Sequence, residues 1–196
     1  MISVIDYLNS LNVNVKEINL SNKELIVLPD LSRFTNLKKL DCSFNKIKKI
    51  NNLPEGLENL YCENNQIKEL NNFPKGLKVL VCHNNKIKKL DNLPEGFEGL
   101  GCSYNEIQEL NNLPNKLGIL NCENNQIKEL NNIPKSLFVL CCTNNLLPSV
   151  NINILKEIDI NRKRETVIMF ILNMSKSKNR FDNDDIFRKI GEYVLT

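Results

Sequence analysis

The sequence predicts an α/β repeat fold: a solenoid with a parallel β-sheet on its concave face, extended segments on its convex face and a helical cap at each end. Three observations predict it. One segment returns with a period of 20 residues, so that Leu37, Leu57, Leu77, Phe97, Leu117 and Leu137 open successive copies. A fixed period of this size marks units that stack along one axis. Within each copy the apolar residues of Leu57-x-x-Leu60-x-Cys62 alternate, which is the two-residue period of a strand. At both ends the repeat gives way to helical patterning.

The elements follow in order. Residues 1–14 read as an N-terminal cap, with a short amphipathic helix over residues 2–12 that places Ile2, Ile5, Leu8 and Leu11 on one face. Residues 15–150 read as the solenoid. Its first copy is diverged, running from Val15 through Ile18, Leu20, Leu25, Leu28 and Leu31, without the column Asn or Cys. Terminal repeats are commonly atypical. The spacing from this copy to Leu37 is two residues longer than the later period.

Four apolar rows then build a continuous core. The strand row is Leu40, Leu60, Leu80, Leu100, Leu120 and Leu140, and the row after the turn is Ile47, Ile67, Ile87, Ile107, Ile127 and Leu147. The third is Ile50, Leu70, Leu90, Leu110, Leu130 and Val150, and the fourth is Leu53, Phe73, Leu93, Leu113 and Ile133. One copy cannot bury these side chains alone, whereas stacked copies bury them against one another. Neighbouring copies would pair as parallel strands about 4.8 Å apart.

The column Asn45, Asn65, Asn85, Asn105, Asn125 and Asn145 falls where the chain turns inward after the strand. An amide offers two donors and an acceptor, and those satisfy backbone groups that a tight turn leaves inside. A structural role is expected. Asn51-Asn52, Asn71-Asn72, Asp91-Asn92, Asn111-Asn112 and Asn131-Asn132 carry turn chemistry on the return path. Pro54, Pro74, Pro94, Pro114 and Pro134 preset an extended, polyproline-like outer segment, which leaves no room for an outer helix.

The pattern L-x-x-L-x-C-x-x-N-x-I-x-x-L-x-N-L-P, with Cys where Leu is usual, resembles the leucine-rich repeat motif. The resemblance covers residues 15 to 150. The short repeat and its Leu-Pro-x-x-Leu joint are similar to the class found in secreted effectors of Yersinia and Shigella. The usage of Asn, Ile and Lys, with no Trp, also resembles leucine-rich repeat proteins of amoeba-infecting giant viruses such as Mimivirus. The resemblance implies a scaffold for protein partners. Some bacterial effectors of this kind carry a ubiquitin ligase domain that uses a cysteine. From residue 151 onward this chain has no cysteine, which argues against that activity.

Six of seven cysteines, Cys42, Cys62, Cys82, Cys102, Cys122 and Cys142, form the repeat column. A spacing of 20 is not a metal-ligand spacing, and buried Cys behaves as a small hydrophobe. Adjacent strands would bring their Cα atoms within disulfide range, but parallel in-register side chains suit the disulfide torsion poorly. Reduced cysteines are therefore expected, in a reducing intracellular compartment: the cytoplasm, or a host cell's cytoplasm. By alternation Cys141 faces outward and is a candidate exposed thiol. The net charge of +3 implies no large basic field. No apolar run reaches membrane-spanning length, and the start of the chain does not read as a signal peptide.

Residues 151–196 read as a C-terminal helical cap. Ile154, Leu155, Ile158 and Val167–Leu172 supply apolar faces, and Asp182 opens a last helix with N-cap chemistry. The alternative is that these helices are an adaptor recruiting a second protein, as in viral repeat proteins with F-box-like ends. No catalytic site, cofactor site or metal site is read anywhere. His83 is the only histidine, and the glycines at 96, 99 and 101 do not open a strand–loop–helix phosphate cradle.

The expected function is therefore non-enzymatic binding of a protein partner on the concave sheet face. Alternation is expected to expose Tyr61, Val79, Val81, His83, Gly99, Gly101, Ile119, Asn121, Val139 and Cys141, an apolar centre with a polar rim and a glycine notch. Phe44 and Tyr104 lie one position past the strands, at the sheet edge. Self-association through the same surface is one alternative. Nucleic-acid binding by Lys46, Lys48, Lys49, Lys86, Lys88 and Lys89 is a weaker one, because the copy between them carries Glu69 and breaks the positive stripe. No membrane partner is expected.

Overall fold

A computed structural model of the chain describes residues 3–147. The expected cap at 151–196, and with it Val150 of the third core row, lies outside the described residues. One helix, α1 (Val4–Ser10), precedes seven strands: β1 (Glu17–Asn19), β2 (Lys39–Asp41), β3 (Asn59–Tyr61), β4 (Val79–Val81), β5 (Gly99–Gly101), β6 (Ile119–Asn121) and β7 (Val139–Cys141). They form one sheet in the order β1 to β7. Every pairing is parallel, and from Leu40↔Leu60 onward the partner is 20 residues away. The first pairing, Ile18↔Leu40, spans 22 residues. Leu31 and Phe34, both fully buried, fill that longer turn.

The strand row from Ile18 to Leu140, the post-turn row from Ile47 to Ile127 and the third row from Ile50 to Leu130 are buried in one continuous cluster. The opening residues Leu37, Leu57, Leu77, Phe97, Leu117 and Leu137 are all fully buried there. Each large aliphatic side chain so placed contributes about 1.5–3 kcal/mol relative to an exposed one. The fourth row is shallower than expected. Leu113 is buried, but Leu53, Phe73, Leu93 and Ile133 are only partly so, because they sit where the chain leaves for the convex surface.

On that surface each Pro ends the extended run and begins a turn. The carbonyl of Pro54 accepts from Leu57 N at 3.0 Å, and Pro74, Pro94, Pro114 and Pro134 repeat the bond to Leu77, Phe97, Leu117 and Leu137. The Leu-Pro-x-x-Leu joint is thus a closed turn returning the chain to the next strand.

The α1 helix corrects the sequence reading of its apolar face. Leu8 is buried in the core cluster with Val4, Tyr7 and Leu11 packed beside it, whereas Ile5 is 67% exposed. Residues 2, 5, 8 and 11 recur every third position, but a 3.6-residue helix aligns i, i+3, i+4 and i+7. Those are Val4, Tyr7, Leu8 and Leu11. Ser3 caps the start, its Oγ accepting from Asp6 N at 3.1 Å.

Candidate functional site

The turn after each strand is built by the column asparagines. Asn65 Nδ2 lies within hydrogen-bond distance of the carbonyls of Cys42, Cys62 and Glu63, while its Oδ1 accepts from Ile47 N at 2.9 Å. Asn85, Asn105, Asn125 and Asn145 repeat these contacts one copy along. In the first copy Asn45 Oδ1 accepts from Lys23 N and Leu25 N instead. One amide thereby ties two neighbouring repeats together by bonding inward backbone groups of both.

The residue before each column Asn has positive φ: Phe44, Asn64, Asn84, Tyr104, Asn124 and Asn144 all lie between 52° and 55°. This is the left-handed region, which Asn tolerates better than other non-glycine residues. Exposed side-chain amides bond along this column, Asn84 Nδ2 to Asn64 Oδ1 at 2.8 Å and Asn144 Nδ2 to Asn124 Oδ1 at 2.9 Å. Asn52, Asn72, Asn92, Asn112 and Asn132 are left-handed too. The doublets read as turn chemistry from sequence have this geometry as their cause. Phe44 and Tyr104 adopt it with an aromatic side chain that is largely exposed.

The cysteine column lies inside. Cys42, Cys62, Cys82, Cys102 and Cys122 are buried and unbridged, and burial pushes each thiol well above its ordinary range. Cys141 and Cys142 are partly buried. Burial, then the nearby Glu123 carboxylate, pushes the Cys141 thiol up to about 12. It is not the open thiol that alternation suggested.

The concave face differs most from expectation. Tyr61, Val79, Val81 and Ile119 form a second apolar cluster, with Val139 packed against it. Val81 and Ile119 are each only 2% exposed, and Asn59, Glu63, His83, Ser103 and Asn121 are buried as well. Gly99 and Gly101 are buried too, and the side chain of Val79 stands over the space beside Gly99. In-register stacking accounts for part of this, since each outward side chain leans on its counterpart one strand away. Alternation therefore identified the face but not its solvation.

Around that cluster the face is polar and weighted to acid. Asp41 Oδ1 accepts from Ser43 N and Ser43 Oγ at 3.0 and 2.6 Å. Glu123 Oε1 accepts from Thr143 Oγ1 at 2.6 Å. Lys39 Nζ stands 5.8 Å from the Tyr61 ring centroid. The lysines of the far edge are partly matched by neighbours: Lys46 with Glu24 at 3.7 Å, Lys88 with Glu106 at 4.0 Å and Lys89 with Asp91 at 2.8 Å. Among the described residues no group of three or more His, Cys, Asp or Glu is placed to hold a metal ion, and no helix is long and apolar enough to cross a membrane.

A family model for leucine-rich repeats, in two copies, matches residues 55–95. Residues 55–95 are thus leucine-rich repeats. The solenoid is similar to YopM from Yersinia enterocolitica, with 34% identity and a TM-score of 0.66 over 70% of this chain and 30% of that one. It is similar in fold to a Shigella effector leucine-rich repeat domain, with 24% identity and a TM-score of 0.62 over 83% and 82% of the two chains. It also resembles the functional domain of InlJ from Listeria monocytogenes, described as including a cysteine ladder, at 26% identity and a TM-score of 0.58 over 75% of this chain and 38% of that one. No curated protein matches the chain. This chain thus spans under a third of the Yersinia protein but most of the Shigella domain.

Proposed function

We propose that this chain is a non-enzymatic protein-interaction module, with 1–14 and 151–196 flanking a solenoid of 15–150 that binds a protein partner through its concave sheet face. One observation carries the reading. The cluster of Tyr61, Val79, Val81, Ile119 and Val139 is built on the side of the sheet that faces away from the core. Repeat stacking needs no apolar residue there, since the core rows hold the repeats together. An apolar centre ringed by Asp41, Ser43, His83, Asn121 and Glu123 has the anatomy of a protein interface. Tyr61 supplies the aromatic type that dominates interface energetics.

The seven free cysteines support a reducing compartment, the cytoplasm of the cell in which the protein acts. The ion pairs of the lysine edge weigh against continuous phosphate tracking, which needs unmatched positive charge.

The test compares three variants for binding a purified partner, with unfolding midpoints measured alongside. Val81→Glu places a carboxylate in the cluster and Gly101→Arg fills the notch. The control is Lys88→Glu with Lys89→Glu on the far edge. The expectation is at least a tenfold loss for each face variant that keeps its fold, and less than threefold for the control. A partner lost by the lysine variant and kept by both face variants would put binding on the basic edge instead.

A further inference from the structure

The turns that follow the strands form a crest along one edge of the sheet. Each repeat places one left-handed residue there: Phe44, Asn64, Asn84, Tyr104, Asn124 and Asn144. Backbone bonds lock these rungs in step. Phe44 N donates to the Glu63 carbonyl and Asn64 N to the His83 carbonyl, both at 3.0 Å, and the pattern runs on to Asn124 N and the Thr143 carbonyl at 2.9 Å. Successive rungs therefore lie about 4.8 Å apart.

The crest has a longer period than the core. An aromatic residue is followed by two asparagines, and the same triplet then returns. The flanking sequence returns with it: Ser43-Phe44 as Ser103-Tyr104, and Glu63-Asn64-Asn65-Gln66 as Glu123-Asn124-Asn125-Gln126. Exposure keeps the same order. The first and third rungs of each triplet are exposed, and the middle rungs, Asn64 and Asn124, are half-buried. In both triplets the third rung donates its amide to the second, at 2.8 and 2.9 Å. Each pair then keeps a free Nδ2 on the middle rung and a free Oδ1 on the third, among the described residues.

Folding does not call for the aromatics. Neither ring belongs to the core cluster, and Asn occupies the left-handed region at lower cost. Costly backbone conformations that persist on a surface cluster at binding sites. Two exposed rings on a rigid, uncharged crest, three rungs or about 14 Å apart, are a template for a linear ligand that repeats in step with the rungs.

The chemistry narrows the ligand. An aromatic face carries negative partial charge and attracts the polarised C–H groups of a sugar ring. The amides offer a donor and an acceptor, which suit hydroxyl groups. Each residue of an extended β-1,4-linked pyranose chain advances by nearly one rung. An extended peptide advances about 3.3–3.4 Å per residue and falls out of step. A phosphate polymer needs cations, and the six crest residues supply none.

We propose that this crest binds an extended, neutral β-1,4-linked polysaccharide, with Phe44 and Tyr104 stacking on sugar rings three residues apart and the asparagine pairs bonding the hydroxyls between them. The site is separate from the concave face and does not depend on the function proposed for that face.

The full chain should be retarded in native gels containing hydroxyethyl cellulose. Calorimetry should detect cellohexaose or chitohexaose, and the tighter of the two identifies the sugar. The hexasaccharide should bind at least tenfold more tightly than its trisaccharide, which cannot reach both rings. Maltohexaose, whose α-1,4 links coil the chain, should bind at least tenfold more weakly. Phe44→Asn with Tyr104→Asn installs the residue that the other rungs carry and should weaken binding at least tenfold with no loss in unfolding midpoint. Tyr104→Phe keeps the ring and should stay within threefold of the parent. Absence of both retardation and binding heat would overturn the proposal. So would binding that survives the double Asn variant, or equal binding of maltohexaose. Retardation by single-stranded oligothymidylate that the double variant abolishes would overturn it in favour of base stacking on the same rings.

Discussion

Asn85 is bonded to Cys62 of the preceding repeat as closely as to Cys82 of its own, its Nδ2 lying 3.0 Å from each carbonyl. A third carbonyl, His83, lies at 3.2 Å, so two protons serve three acceptors. On the other side Oδ1 accepts from Ile67 N at 2.9 Å. The Asn85 column therefore fastens repeat to repeat.

Asn85→Ala leaves those backbone groups without partners, which should cost about 1–3 kcal/mol. Lys86→Ala, on the exposed neighbour, should stay within about 0.5 kcal/mol. Urea unfolding of the two variants checks this. Equal midpoints would mean that Asn85 contributes nothing that the backbone and water do not replace.

The joint glycines separate by their surroundings. A Cβ on Gly56 would stand 2.9 Å from the Thr35 carbonyl oxygen, which is backbone, while one on Gly96 would meet nothing within 4 Å. Lys116 and Ser136 hold the same column position, so the local conformation admits a side chain. Gly96→Ala should stabilise by about 0.4–1 kcal/mol, by narrowing the unfolded ensemble. Gly56→Ala should destabilise, and thermal unfolding of both should show opposite signs.

Glu58 bridges Lys38 at 2.8 Å and Lys78 at 2.9 Å. Those two hydrogen bonds hold its carboxyl below the usual range. A depressed folded value means that the stabilisation is complete above the unfolded value of about 4.3 and fades as pH falls through the folded one. Because both lysines are well exposed, each pair contributes at the low end of about 0.2–1 kcal/mol. Glu58→Gln should therefore be slightly less stable than the parent at pH 7, with the gap closing below about pH 4. A gap that persists at pH 2 would assign the effect to packing.

Much of the fold was legible because the period is carried by the residues themselves. Once Leu40, Leu60 and Leu80 align, strand register and core rows follow. Two things were less legible. Alternation says which side of a strand Val81 occupies but not whether that side meets water, which depends on what lies over the sheet. The left-handed turn at Phe44 and Tyr104 was hidden because those aromatics break the Asn-Asn doublet that signals it elsewhere. Aligning them with Asn64 and Asn84 is the signal that finds it.

The thiols should be chemically silent in the folded chain. Burial pushes the Cys141 thiol up to about 12, so at pH 8 almost none of it is the reactive thiolate. Of the column cysteines, Cys42 to Cys122 are buried and Cys142 is partly so. Ellman's reagent should show no fast phase on native protein and seven thiols in denaturant without reductant. A stoichiometric fast phase, or a total below seven, would contradict the burial or the reduced state of the column.

Tyr104 interrupts a run of left-handed asparagines. Asn64 and Asn84 are bonded on one side of it, Asn124 and Asn144 on the other, and Tyr104 itself sits at φ 52° with half of its surface exposed. An L residue pays about 1–2 kcal/mol in this region, and Asn pays less because its short amide bonds locally. Tyr104→Asn would also supply a donor and an acceptor between Asn84 and Asn124. The variant should therefore be more stable by about 0.5–1 kcal/mol, and Phe44→Asn should shift in the same direction. A destabilised Tyr104→Asn would show that the ring makes packing contacts worth more than the strain. A stabilised one would show an exposed aromatic held at a cost on the rim of the proposed binding face, where residues in unfavourable backbone regions tend to cluster for function. Partner affinity of that same variant then decides the matter: a loss alongside the gain in stability would assign Tyr104 to recognition.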